Sequence, residues 1–248
     1  MYDPFRLQLL TLSLDSQVVL VVVGVVLAGL AARVAARSQG LHAAGMPGLV
    51  LDGALCALLG ARLGWIALHL EYYLRLPTQV LAFGDGGYLF AGGALALGAF
   101  VCWLPRHAGL SSRAIAAVGA PAVATALLLD RAGCALTACG FGQPTGLPWA
   151  LERSGQALQP VALYGVLVWL LALLVLGLIR GRPALAWPLL LGALAVERGL
   201  AWWLGHDWAD GLVAALGLLG LVLLSRLVRA RTPYEAAVSS EGVGLSRG

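Results

Sequence analysis

The chain has 248 residues, 60% of them apolar and 11% charged, with a formal net charge of +4. A mean hydropathy of +0.88 excludes an ordinary soluble domain and implies a polytopic membrane protein. Every basic residue is arginine, and the arginines are dispersed among loops, as a bilayer topology requires; no nucleic-acid-binding stripe is formed.

Residues 1–15 are mixed and carry Asp3, Arg6 and Asp15. No small-residue cleavage site follows a short apolar core, so the first apolar run is expected to stay as a membrane helix. Seven spans of about bilayer length are predicted, at residues 16–36, 48–70, 86–104, 114–129, 160–179, 183–204 and 208–227. Arg33 and Arg37 follow the first span, Arg106 and Arg113 bracket the link from third to fourth, and Arg180 and Arg182 fill the turn after the fifth. Arg226, Arg229 and Arg231 follow the seventh. Asp3, Asp15, Glu71, Asp85, Asp207 and Asp210 fall on the other side. The positive-inside rule then places the N-terminus outside and the C-terminus in the cytoplasm.

The expected fold is all-α: a single transmembrane domain over residues 1–231 and a small polar tail, 232–248, expected to be disordered. The outer connection 130–159 reads as long, irregular and rich in Gly and Pro, the kind of segment that carries function.

Five places carry chemistry-bearing residues. Arg62 lies well inside the second apolar run, next to Gly60, Ala61 and Gly64. A charge there must face the bundle interior or water. It serves either a ligand or an ion pair with Asp52, Asp85 or Glu197. The third span opens on Asp85-Gly86-Gly87 and continues to Gly92-Gly93. Glycine pairs at a helix start suit close backbone approach to an anionic group, and equally a packing seam. Glu197 and Arg198 sit in the middle of the sixth span. Neighbours on a helix point about 100° apart, so each is expected to find its own partner on another helix. Asp130-Arg131 ends the fourth span, and arginine offers a planar fork of donors suited to phosphate. The plain alternative is an arginine snorkelling to the headgroups. Cys134 and Cys139 flank a glycine-rich stretch that does not look helical. They read as a structural disulfide or two buried thiols, with thiol-redox chemistry as a further reading. His42, His69, His107 and His206 show no ligand spacing with the cysteines, so neither metal nor cofactor is expected.

Taken in order, these stretches resemble the prolipoprotein diacylglyceryl transferases, seven-span bacterial membrane enzymes that move diacylglycerol from phosphatidylglycerol to a lipobox cysteine. The likeness runs from about Gly48 to Trp208. Residues 60–65 look like the family's Gly-Gly-Arg-x-Gly-Tyr, with Arg62 in place of its arginine. Residues 85–93 look like Asp-Gly-Gly-x-x-x-His-Gly-Gly. Residues 130–140 look like the Gly-Arg-x-Gly-Asn signature, in the branch with cysteine for asparagine. Residues 159–165, including Tyr164, look like His-Pro-x-Gln-Leu-Tyr-Glu. Arg198 falls where the family has an arginine in its sixth span. The resemblance implies a bacterial cytoplasmic (inner) membrane location and phospholipid binding through Arg62, Gly86, Gly87, Gly92, Gly93, Arg131 and Arg198. It makes Arg131, Arg198, Glu197 and Tyr164 the candidates for catalysis.

The departures fall on polar positions. Ala91 replaces a histidine, Cys139 a glutamate, Gln159 a histidine, Ala162 a glutamine, and Gly165 and Trp202 glutamates. The reaction needs an acceptor for the thiol proton as well as positive charge at the phosphate. An arginine clamp without its polar surroundings points to a phospholipid-binding relative with lost or altered catalysis, and to other membrane-protein subunits as partners. The alternative is an active transferase with a divergent site.

Overall fold

The computed structural model describes residues 6–9, 12–82, 86–108, 110–137, 139–205, 210–211, 213–215 and 217–222. A short antiparallel hairpin, β1 (Arg6–Leu9) and β2 (Leu12–Asp15), precedes α1 (Ser16–Ser38). Then come α2 (Met46–Leu68), the single-turn α3 (Leu70–Arg75), α4 (Phe90–Ala108) and α5 (Ser112–Leu136). A three-stranded antiparallel sheet, in the order β3-β5-β4, separates α5 from α6 (Val161–Leu178). Its strands are β3 (Phe141–Pro144), β4 (Leu151–Arg153) and β5 (Gln156–Pro160). The helix α7 (Ala186–Gly205) follows a 3-10 turn.

Five helices, at Val18–Ser38, Met46–Leu68, Ser112–Leu136, Val161–Leu178 and Pro183–Gly205, are long and apolar enough to cross a bilayer. Two shorter apolar helices, Phe90–Pro105 and Val213–Val222, correspond to the third and seventh predicted spans. The tail 232–248 lies outside the described residues.

Packing is inside-out, as lipid requires. Small side chains fill the interior, and large apolar ones such as Val22, Leu63 and Leu178 are exposed on the periphery. On α1 and α5 the alanines recur at every fourth position, which lets backbones approach closely. Ala28, Ala32 and Ala36 meet Val118 and Ala122 on one side of α5. Ala116, Ala120 and Ala124 meet Trp169, Ala172 and Leu190 of α6 and α7 on the other. Helix α5 is therefore the central post. The Ser111 hydroxyl caps it by accepting from the Ala114 amide at 3.1 Å. It continues through Pro121, where the Thr125 hydroxyl donates to the Pro121 carbonyl at 2.8 Å.

Helices α2 and α4 close on a glycine seam. A Cβ built at Gly60 would stand 2.2 Å from Ala96 Cβ and 2.8 Å from the Gly92 carbonyl oxygen, and one at Gly93 would stand 3.0 Å from the Ala57 oxygen. Gly60→Val is thus expected to force the helices apart and lower stability in detergent by about 1–3 kcal/mol or more. Gly98→Val, where a Cβ meets nothing within 4 Å, is the control and should leave the melting temperature unchanged.

The fourth span is longer than predicted, so the connection after it is shorter than expected, and about half of it is ordered as strands. Helix α5 runs on to Leu136, so Asp130, Arg131 and Cys134 are helical. The remainder carries the small sheet, whose β4–β5 hairpin is closed by Ser154 and Gly155 at φ 52° and 78°. Two successive positive φ values between paired strands make a tight hairpin turn. Gly and Pro in this stretch punctuate strands instead of leaving a loose loop.

Candidate functional site

Two arginine centres flank the head of α4. The first is Arg62, on α2 and 4% exposed. One terminal nitrogen, Nη1, donates to the carbonyls of Gly86 (2.5 Å) and Gly87 (3.2 Å); the other, Nη2, donates to those of Gln79 (2.7 Å) and Ala82 (3.0 Å). Tyr73 and Tyr88 place their rings 5.5 and 5.7 Å from the guanidinium carbon, within cation–π range. Gly86 and Gly87 adopt φ of 77° and 75°, the left-handed conformation that turns both carbonyls toward the charge. A Cβ at Gly87 would stand 2.9 Å from Arg62 Nη1. Arg62, Gly86 and Gly87 are therefore in contact with one another, while Gly92 and Gly93 face α2 in the packing seam. Of the ion-pair partners predicted for Arg62, Asp52 is exposed, Glu197 is held by other arginines, and Asp85 lies outside the described residues.

The second centre gathers around Glu197. Its carboxylate is 2.6 Å from Arg131 Nε on α5 and accepts from Arg198 Nη2 at 2.9 Å. The Trp169 indole N–H, fully buried on α6, donates to its other oxygen at 3.3 Å. Arg198 Nη1 donates to Asp210 at 2.8 Å, and the Phe90 ring centre is 4.2 Å from the Arg198 guanidinium carbon. Asp130 lies 3.8 Å from Arg131 Nε. Gly165 makes room for this arrangement: a Cβ there would stand 3.0 Å from Arg131 Cδ and 3.3 Å from Glu197 Oε1.

The expectation that Glu197 and Arg198 would not pair directly is corrected here. Their Cα–Cβ bonds do diverge by about 100°. Both side chains are long enough to bend back to the same polar centre, where burial leaves an ionised group no cheaper partner. Sequence reasoning also missed Asp210, Trp169 and Phe90 as members of this centre. Asp210 carried a signal, since it sits in the polar break after α7, but nothing in the sequence tied Trp169 or Phe90 to the charges.

Arg131 differs from its neighbours. Its side chain is 17% exposed, and among the described residues its two terminal nitrogens make no hydrogen bond. The Nε edge faces Glu197 as an ion pair without an aligned hydrogen bond. One turn further along α5, Cys134 is joined to Cys139 by a disulfide. The Cys139 amide donates to the Cys134 carbonyl at 2.9 Å. Gly140, at φ 69°, then turns the chain so that its carbonyl accepts from the Ala162 amide at the start of α6. Tyr164 is tethered to the sheet segment by the Trp149 indole N–H, which donates to its hydroxyl at 2.9 Å. Trp202 packs on Gly211, where a Cβ would stand 2.9 Å from the indole.

Buried arginines and a carboxylate among apolar spans define a multi-pass membrane protein with an internal polar centre. A sequence model of the family described as prolipoprotein diacylglyceryl transferase matches residues 4–195, and the chain belongs to that family. Relatives named phosphatidylglycerol–prolipoprotein diacylglyceryl transferase include a Roseobacter denitrificans protein, 32% identical over 195 residues, which are 77% of this chain and 55% of that protein. A Ruegeria pomeroyi protein is 32% identical over 174 residues, 69% of this chain and 54% of its own length. A Nitrobacter winogradskyi protein is 27% identical over 220 residues, 81% and 75% of the two chains. The chain thus spans about half the length of the first two.

Proposed function

We propose that this protein binds an anionic phospholipid resembling phosphatidylglycerol at Arg131, and that transfer of diacylglycerol to a lipoprotein cysteine is lost or altered. The observation that carries the reading is the state of Arg131: mostly buried, anchored on one edge by Glu197, with its terminal nitrogens unbonded among the described residues. A planar fork held this way suits two phosphate oxygens. Arg198 is a positioning residue in this scheme. It shares the Glu197 carboxylate and so sets how strongly that carboxylate holds Arg131. Arg62 holds the loop that starts α4, and with it Phe90 against Arg198.

The loss of transfer follows from proton bookkeeping. In the transfer reaction a thiol gives up its proton, sulfur bonds to the glycerol C3 carbon, and the carbon–oxygen bond to phosphate breaks. Something must take the thiol proton. Glu197 is the buried carboxylate at hand, and both of its oxygens are already engaged, by Arg131, Arg198 and the Trp169 indole. Ala91, Ala162 and Gly165 offer no acceptor in its place. The proposal also keeps the N-terminus outside and the C-terminus in the cytoplasm, which sets Arg131 toward the outer leaflet. Other membrane-protein subunits remain part of it as partners of the bound-lipid form.

Complementation of a conditional diacylglyceryl transferase depletion strain tests the loss of catalysis. A well-expressed, membrane-inserted protein should not restore growth. Restored growth that disappears with Arg131→Ala would establish an active transferase instead.

A further inference from the structure

A cavity of about 300 Å³ is lined on α5 by Ala117, Pro121 and Thr125, about 9–21 Å along the helix from Arg131, toward the other end of the bundle. It lies between the second half of α1, the first half of α5 and the end of α6. Its walls are small or apolar: Ala31, Ala35, Ala117, Pro121 and Gly177. Its mouth is polar, with Ser38, Gln39 and Arg180, and the Gln39 side chain donates to the Arg180 carbonyl at 3.4 Å. Pro121 has no N–H, so the carbonyl of Ala117, four residues back, lacks its helical donor at the cavity wall. Arg37 and Arg182, both exposed, adjoin the mouth residues in sequence, and no lining residue is acidic.

We propose that this cavity binds an anionic phospholipid from the leaflet on the arginine-rich side. One acyl chain enters between α1, α5 and α6, and Arg180, with Arg37 and Arg182 beside it, holds the headgroup phosphate. An acyl chain gains no hydrophobic energy by leaving lipid for a protein groove, so selectivity comes from the headgroup charge. Basic pockets between membrane helices recognise anionic headgroups in this way. The occupant fits the charge of the mouth and the apolar character of the walls together; a polar solute fits only the first.

Native mass spectrometry of the full chain, released from nanodiscs of phosphatidylcholine with a minor share of phosphatidylglycerol, reads the site. In Arg131→Ala, one phosphatidylglycerol should still be retained. In that background, adding Arg180→Ala should reduce the preference for phosphatidylglycerol over phosphatidylcholine about fivefold. Gly177→Leu should exclude lipid of either kind, since Gly177 lines the cavity and a Cβ there meets nothing within 4 Å. Arg180 is exposed, so its variant reports on binding without a change in fold, checked by an unchanged melting temperature. Lipid retention and preference unchanged in both variants would overturn the proposal. So would a lipid-free dimer that Gly177→Leu converts to monomer, because the cavity would then hold a second copy of the chain. Because the lipid is sought in the Arg131→Ala background, failure here is separate from failure at Arg131.

Discussion

Glu197→Ala is expected to lower the stability of the folded protein by about 3–5 kcal/mol, because it leaves Arg131 and Arg198 buried without the carboxylate they share. Arg198 keeps Asp210, but Arg131 keeps only the more distant Asp130, and the Trp169 indole loses its acceptor. Glu197→Gln preserves the shape and one acceptor oxygen while removing the charge, so it should fall between the wild type and alanine. Thermal unfolding in a mild detergent reads both. A melting temperature in Glu197→Ala within a degree of wild type would mean that water or lipid already satisfies the arginines and that the centre is not dry.

Arg62→Ala should have the second large effect, of about 3 kcal/mol or more. Four carbonyls, from Gln79, Ala82, Gly86 and Gly87, converge on one guanidinium. Each would lose a charged donor, and a buried acceptor left bare costs about 1–3 kcal/mol. The loop would open, and Phe90 would lose its register on Arg198. Arg62→Lys should recover part of the loss, since a single ammonium cannot reach carbonyls on both sides of the fork. Proteolysis of the 77–89 segment measures this directly, and protection equal to wild type in Arg62→Ala would refute the role of Arg62 in holding the loop.

Much of the helical frame was legible because membrane spans are written as length and hydropathy. The starts and ends of α1, α2 and α6 fall within a few residues of prediction. The family likeness was legible through the order of its motifs. Geometry inside the polar centre was not. Gly86 and Gly87 read as a backbone approach to an anionic group or as a packing seam, and nothing in the sequence showed that their carbonyls turn onto Arg62. Glu197 and Arg198 looked divergent by helical angle, and side-chain length brought them together. The sheet after α5 was hidden because its strands are three to five residues long and their Gly and Pro resemble loop composition. The extension of α5 past Leu129 was hidden for a related reason: charged and small residues at a span's end read as a boundary, although the helix continues to the disulfide turn.

The central claim is that Arg131 holds a phospholipid phosphate, and equilibrium binding of labelled phosphatidylglycerol to the purified protein tests it most directly. Arg180→Ala serves as the common background, so that only the Arg131 site is read. Arg131→Ala should weaken binding at least tenfold, Arg131→Lys should recover part of it, and phosphatidylcholine should not compete. Equal affinity for phosphatidylglycerol in the presence and absence of the Arg131 side chain, in protein of unchanged melting temperature, would contradict the account.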